Sequence, residues 1–273
     1  MKIRKAIIPA AGRGSRLYPI TKTQPKEMLP IYDKPIIQLV VEEAVNSGIE
    51  QILIITGKNK ESMERHFDLT ENGDIRLKEL NDLLKKVDIT FKRQTSPKGL
   101  GDAILHGKNF ANGEPVAILL GDDFYLDTDT PALKQVIDIF EKEKISGVIG
   151  VEELSPEKMV NKGMVVSNGE SITKLVEKPK IENVVSNLAI SGRYVVESKI
   201  FEELEKVELS SRSEIELTDA FQRMLELGCK INYCKINGIR VDVGTPDEYI
   251  QANIKYLLSK DKLKDKLLKN LGI

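Results

Sequence analysis

Residues 115–123 read PVAILLGDD. The five apolar residues from Val116 to Leu120 cannot alternate between core and solvent, so a strand built from them is buried on both faces. Such a strand belongs inside a sheet that helices cover from both sides. The run stops at Gly121-Asp122-Asp123, which leaves acids at the carboxyl end of the strand. In open α/β sheets that edge is where ligands bind.

Outward from this strand, apolar strands and amphipathic helices alternate. AII (6–8), QILII (51–55) and SGVIGV (146–151) read as further buried strands. Residues 34–48 read as a helix with Pro35 in its first turn, Gly48 at its end, and Ile36, Val40 and Ala44 on one face. Helices are expected over 60–67, 77–87, 100–110, 131–144, 198–207 and 216–227, and strands over 89–94, 188–196 and 238–242. The Asn168-Gly169 turn between two apolar runs predicts a hairpin over 164–176. TPDE (245–248) is a capping box that opens a helical tail. The pattern predicts an α/β fold, a three-layer sandwich whose mixed, mostly parallel central sheet carries one added antiparallel hairpin. One domain is expected over 1–273, a core of 1–245 and a C-terminal helical segment of 246–273, where Leu263, Leu267 and Leu271 lie four apart.

The 41 Lys and Arg balance the 42 Asp and Glu, so nothing global favours nucleic acid or an acidic membrane. Any basic site has to be local. The run at 116–120 is far short of a membrane span, and the apolar part of MKIRKAII is too short for a signal peptide. A cytoplasmic protein is expected. Cys229 and Cys234 make one C-x4-C pair without companion ligands, which is a poor zinc pattern, so reduced thiols are expected. His66 and His106 fall in predicted helices, in surface or packing roles.

After the first strand comes PAAGRGSRLYPITKTQPKEMLP (9–30), rich in glycine and base. A dinucleotide fingerprint fails at Leu17, where the third glycine is required, and at Thr56-Gly57, where an acid is required. A P-loop fails for want of Gly-Lys-Ser/Thr. What remains is a backbone that Gly12 and Gly14 can turn into an anion nest, with Arg16 as a phosphate clamp. Lys26 lies in a segment stiffened by Pro19, Pro25 and Pro30.

Asp122 and Asp242 each follow a strand, and two carboxylates with substrate phosphates are a minimal Mg²⁺ set. Asp123, Asp127, Asp129 and Asp247 read as turn or cap acids. Glu177-Lys178 ends the hairpin, where a carboxylate can accept from sugar hydroxyls and a lysine can bind a sugar phosphate. Neighbours in a strand face opposite ways, so an ion pair between these two is not expected.

Together these motifs resemble the sugar-1-phosphate nucleotidylyltransferases. The carrying residues are AAGRGSR (10–16), PKEMLP (25–30), DKPIIQLVVEEA (33–44), RQ (93–94), KGLGDA (98–103), LLGDD (119–123), KGMV (162–165), VEKP (176–179), SNLAISGRY (186–194) and ELTDA (216–220), spread over nearly the whole chain. The resemblance implies a Rossmann-like enzyme that joins a nucleoside triphosphate to a sugar phosphate with Mg²⁺, commonly as a homo-oligomer (dimer or tetramer). It implies that Ala10, Ala11 and Gly12 approach the base and ribose, and that Arg16 and Lys26 hold the triphosphate. It further implies Gln94 and Gly99 on the uracil edge, Asp122 and Asp242 on Mg²⁺, and Gly163, Glu177, Lys178 and Ile190 around the sugar phosphate. UTP and glucose 1-phosphate are the expected substrates. Leu120-Gly121-Asp122 and VDVGTPD (241–247) are similar to the branch that uses dTTP, which stays an alternative, as does a non-catalytic regulatory subunit. Gln94 offers a donor and an acceptor, which suits uracil and thymine equally.

Overall fold

The computed structural model describes residues 2–70 and 73–272. Among the described residues nine strands form one sheet, in the order β5 (Asp88–Arg93), β4 (Gln51–Thr56), β1 (Lys5–Pro9), β6 (Val116–Leu119), β11 (Leu188–Val196), β8 (Gly147–Glu153), β12 (Ile231–Lys235), β10 (Ser171–Glu177) and β9 (Gly163–Asn168). All run one way except β10 and β11. The sheet is therefore mixed and mostly parallel, and β9–β10 is the expected hairpin.

Strand β1 shows why these strands are continuous apolar runs. Ala6 and Ile8 enter the core on one face of the sheet, and Ile7 enters the core on the other. Helices α1 (Ile36–Asn46) and α6 (Ala132–Lys142) cover the first face. Helices α4 (Leu100–Leu105), α8 (Lys199–Leu204) and α9 (Leu217–Glu226) cover the second. Shorter helices α2 (Glu61–His66), α3 (Lys78–Leu84), α5 (Lys108–Ala111) and α7 (Pro156–Met159) fill the connections.

Several boundaries differ from the sequence pattern, each for a local reason. Pro35 caps α1 from outside, because Lys34–Pro35 (β3) pairs with Pro30–Ile31 (β2). The helix expected over 100–110 is two, α4 and α5, parted at Gly107, where an added Cβ would lie 2.4 Å from Ile7 Cδ1. Strand β12 escapes an apolar pattern because Asn232 is one of its buried residues, bonded to Ser171 and Glu143. Strand β7 (Asp123–Leu126) escapes it because it begins on an acid. The tail is α10 (Pro246–Leu258) and α11 (Asp261–Leu271); the Leu267 and Leu271 side chains of the expected stripe lie outside the described residues.

Among the described residues no helix is long and apolar enough to cross a membrane. Both cysteines are free thiols. Burial pushes the Cys234 thiol up to about 11. Cys234 is expected to resist a thiol reagent at about pH 8 in the native protein and to label once denatured, which intact-mass measurement reads.

Candidate active site

Two strand ends bring the distant acids together. Strand β13 (Ile239–Asp242) lies antiparallel to β7 and sets Asp242 opposite Asp123. Next to it, the Val243 N–H donates to the Asp122 carbonyl at 3.2 Å. Asp122 and Asp242 consequently line one cleft of about 1170 Å³, together with Arg16, Gly163, Glu177, Lys178 and Ile190. The Arg16 guanidinium lies against Gly244, beside the Asp242 strand end.

The sugar-phosphate residues expected from the sequence form one wall of this cleft. Gly163 has no space for a side chain: an added Cβ would lie 2.7 Å from Ile190 Cδ1 and 3.2 Å from Glu177 Oε2. Glu177 Oε2 accepts from Thr218 Oγ1 at 2.7 Å. Lys178 lies one residue beyond β10 with φ of 45°, and its Nζ is 3.7 Å from Glu177 Oε1. Strand alternation predicts opposite faces for this pair. The left-handed residue past the strand end breaks the alternation, and both residues line the cleft.

A second cleft of about 400 Å³ is lined by Ala11, Gly12, Arg13, Lys22, Lys60 and Gln94. Arg13 and Lys22, to which the sequence assigns no role, thus lie among the expected nucleotide residues. Ala10 is buried behind them, with its N–H donating to the Ile55 carbonyl at 2.8 Å. Of the two loop glycines, Gly14 takes a positive φ of 64°, and its carbonyl accepts from Thr21 Oγ1 at 2.7 Å. It shapes the turn beneath the loop, while Gly12 lines the cleft.

Lys26 links lining residues of the two clefts. Its Nζ donates to Asp122 Oδ2 in the larger one. The same Nζ lies 3.9 Å from where a Cβ on Gly12 would sit in the smaller one. Burial alone would push the Asp122 carboxyl up; the charge and hydrogen bond of Lys26, with Arg240, hold it below the usual carboxylate range. Burial opposes the Lys26 ammonium too, and Asp122 and Glu27 outweigh it and raise its pKa. Behind Lys26, the buried Glu27 carboxylate accepts from Lys60 Nζ at 2.6 Å, which ties the PKEMLP turn to the start of α2.

A nucleotidyl transferase family model matches residues 5–259. The chain belongs to the nucleotidyl transferase family. It is 43% identical over 281 residues to the UTP–glucose-1-phosphate uridylyltransferase of Bacillus subtilis strain 168, covering 98% of this chain and 95% of that protein. It is similar to a solved UDP-glucose pyrophosphorylase complexed with UDP-glucose, at 38% identity and a TM-score of 0.88, over 94% of this chain and 100% of the other. It is also similar to the UTP-bound UGPase from Acinetobacter baumannii, at 32% identity and a TM-score of 0.85, over 98% of each chain.

The donor set of this nucleotidyl transferase suits a hard cation that takes most of its ligands from substrate. Among the described residues no three His, Cys, Asp or Glu side chains gather as a complete metal cage. Asp122 and Asp242 instead present two carboxylates, each neutralised by a lysine: Lys26 on Asp122, and Lys162 Nζ at 2.8 Å from Asp242 Oδ2. Mg²⁺ held by one or two carboxylates, phosphate oxygens and water fits such a pair. Lys162 carries no role in the sequence reasoning, although it opens the KGMV motif (162–165) from which only Gly163 is taken.

Asp123 corrects an expectation. It is not a turn or cap acid: it starts β7, is fully buried, and accepts from Arg193 Nη1 at 2.6 Å and from Arg240 Nη2 at 2.5 Å. Arg193 continues to Glu43 through Nε and Nη2, both at 2.8 Å, and Arg240 reaches Glu152 at 2.9 Å and Asp242 at 3.6 Å. The available signal was an arginine inside the apolar run 188–196, because a charge buried in a strand requires an opposite charge.

Proposed function

We propose that the chain transfers UMP from UTP to glucose 1-phosphate, forming UDP-glucose and releasing pyrophosphate. The observation that carries this is Lys26, whose ammonium bonds Asp122 in the cleft walled by Glu177 and Lys178 and also approaches Gly12 in the cleft that Gln94 lines. The UTP and UDP-glucose relatives support the choice of base and sugar.

The phosphate of glucose 1-phosphate, with a second pKa near ~6, is mostly dianionic at neutral pH and needs no general base. Its oxygen attacks the α-phosphorus of UTP in line, forming the new P–O bond as the bond to pyrophosphate breaks. The difficulty is charge, because two polyanions must meet. Lys178 holds the sugar phosphate, Arg16 and Lys26 hold the triphosphate, and Glu177 accepts from the sugar hydroxyls. Lys26 and Lys162 keep the two carboxylates neutralised until phosphate oxygens arrive. Bound to Asp122 and Asp242, Mg²⁺ would supply further neutralisation of the phosphates.

Pyrophosphate release is the direct test, with glucose 1-phosphate and UTP, dTTP, CTP, ATP or GTP in turn. UTP is expected to give the highest kcat/KM. A higher value with dTTP would overturn the base assignment, and UDP-glucose binding without pyrophosphate from any nucleotide would overturn the enzyme. Lys178→Ala is expected to raise KM for glucose 1-phosphate roughly 10- to 100-fold, the loss of one hydrogen bond to a charged group. Its KM for UTP should move far less, and a comparable rise in both would place Lys178 elsewhere.

A further inference from the structure

Gln94 stands at the end of β5 with its N–H donating to the Thr56 carbonyl at 2.8 Å, and it is 5% exposed. Its side-chain amide meets the first turn of α4. Nε2 donates to Asp102 Oδ2 at 2.5 Å and to the Gly99 carbonyl at 3.4 Å. Both partners only accept. A carboxylate has no hydrogen to give, so turning the amide over would set Oε1 against Oδ2, acceptor against acceptor. The two N–H donors of Gln94 are thereby committed to the protein, and Oε1 is the group left for a ligand. The donor-plus-acceptor edge that the sequence suggests is reduced to an acceptor.

The backbone holds this arrangement in place. Gly99 has φ of 99°, and an added Cβ there would lie 2.7 Å from the Ile215 carbonyl. That carbonyl accepts from the Gly101 N–H at 2.8 Å, and the Ile215 N–H donates to the Lys98 carbonyl at 2.7 Å. Asp102, in the first turn of α4, is therefore presented to Gln94 by a clamped turn.

We infer that Asp102 is a positioning residue for base choice, which holds the Gln94 amide so that a lone acceptor faces the pyrimidine. Uracil presents N3–H, a donor, between two carbonyls, and Oε1 complements it. Cytosine presents a bare N3 acceptor at the same place, and Oε1 opposes it. Thymine carries the same N3–H as uracil, so Asp102 separates UTP from CTP and leaves UTP and dTTP alike. This rests on the reading that Gln94 faces the base of the transferred nucleotide.

Asp102→Asn tests it with almost no change of size. An Asn amide can accept or donate, so the Gln94 amide is free to turn over. The UTP:CTP ratio of kcat/KM is expected to fall by about tenfold or more, while the UTP:dTTP ratio stays within about twofold of the parent. Asp102→Ala, which removes the partner altogether, should shift the same ratio the same way, and thermal unfolding of both variants checks that the fold persists. A UTP:CTP ratio within about twofold of the parent in both variants overturns the proposal, as does an equal fall for all three nucleotides. Gln94→Leu separates the two ways of failing. If it lowers the UTP:CTP ratio and the Asp102 variants do not, Asp102 alone is wrong. If it leaves the ratio unchanged, Gln94 does not face the base and the underlying reading is wrong.

Discussion

Asp122→Ala is expected to lower kcat by roughly 100-fold or more, with little change in the unfolding temperature. The carboxylate stands at the end of β6 with its side chain 23% exposed, so truncation opens no cavity in the core. It does remove the acceptor that holds Lys26 Nζ. It also removes one of the two carboxylates able to carry Mg²⁺. Both losses fall on the transition state, where charge on the transferring phosphoryl group is greatest, so kcat drops further than KM rises. The measurement is steady-state pyrophosphate release at saturating UTP, glucose 1-phosphate and Mg²⁺. Near-parental kcat would remove Asp122 from the metal and from the reaction.

Arg193→Leu is expected to destabilise the fold by about 3–5 kcal/mol, the cost of breaking a buried ion pair from one side. Arg193 is fully buried, and its guanidinium donates to Glu43 Oε1 and Oε2 and to Asp123 Oδ1. Leucine would supply apolar volume but leave the Glu43 and Asp123 carboxylates without that cation. Asp123 would retain Arg240; among the described residues, the Glu43 carboxylate would keep only its bond from the Leu133 N–H. Urea denaturation reads the loss as a lower midpoint with an unchanged slope. A change below about 1 kcal/mol would mean that water reaches these carboxylates. The mutation should also reduce activity, since β7 begins at Asp123 and sets the register that brings Asp242 beside Asp122.

The contrast between these residues shows what local sequence can carry. Asp122 was legible because an apolar run on both sides of a sheet stops at it, and topology sends ligands to that edge. Asp123, its neighbour, reads as a turn acid in the sequence, because its partners Arg193 and Arg240 come from strands far along the chain. The sequence singles out Gln94 and Lys178, and both line clefts, but their orientation is not legible in it. Asp102 decides which way the Gln94 amide faces, and a left-handed φ of 45° breaks the strand alternation at Lys178.

The sequence by itself determined the α/β class, the hairpin and the strand-end acids, because apolar periodicity and turn chemistry act over a few residues. It also determined the family, through motifs spread along nearly the whole chain. The tertiary structure decided which charges meet: Lys26 with Asp122, Lys162 with Asp242, and Arg193 and Arg240 with Asp123. Coulomb energy depends on distance and burial in space, and residues far apart in the chain acquire both only when the sheet closes its register.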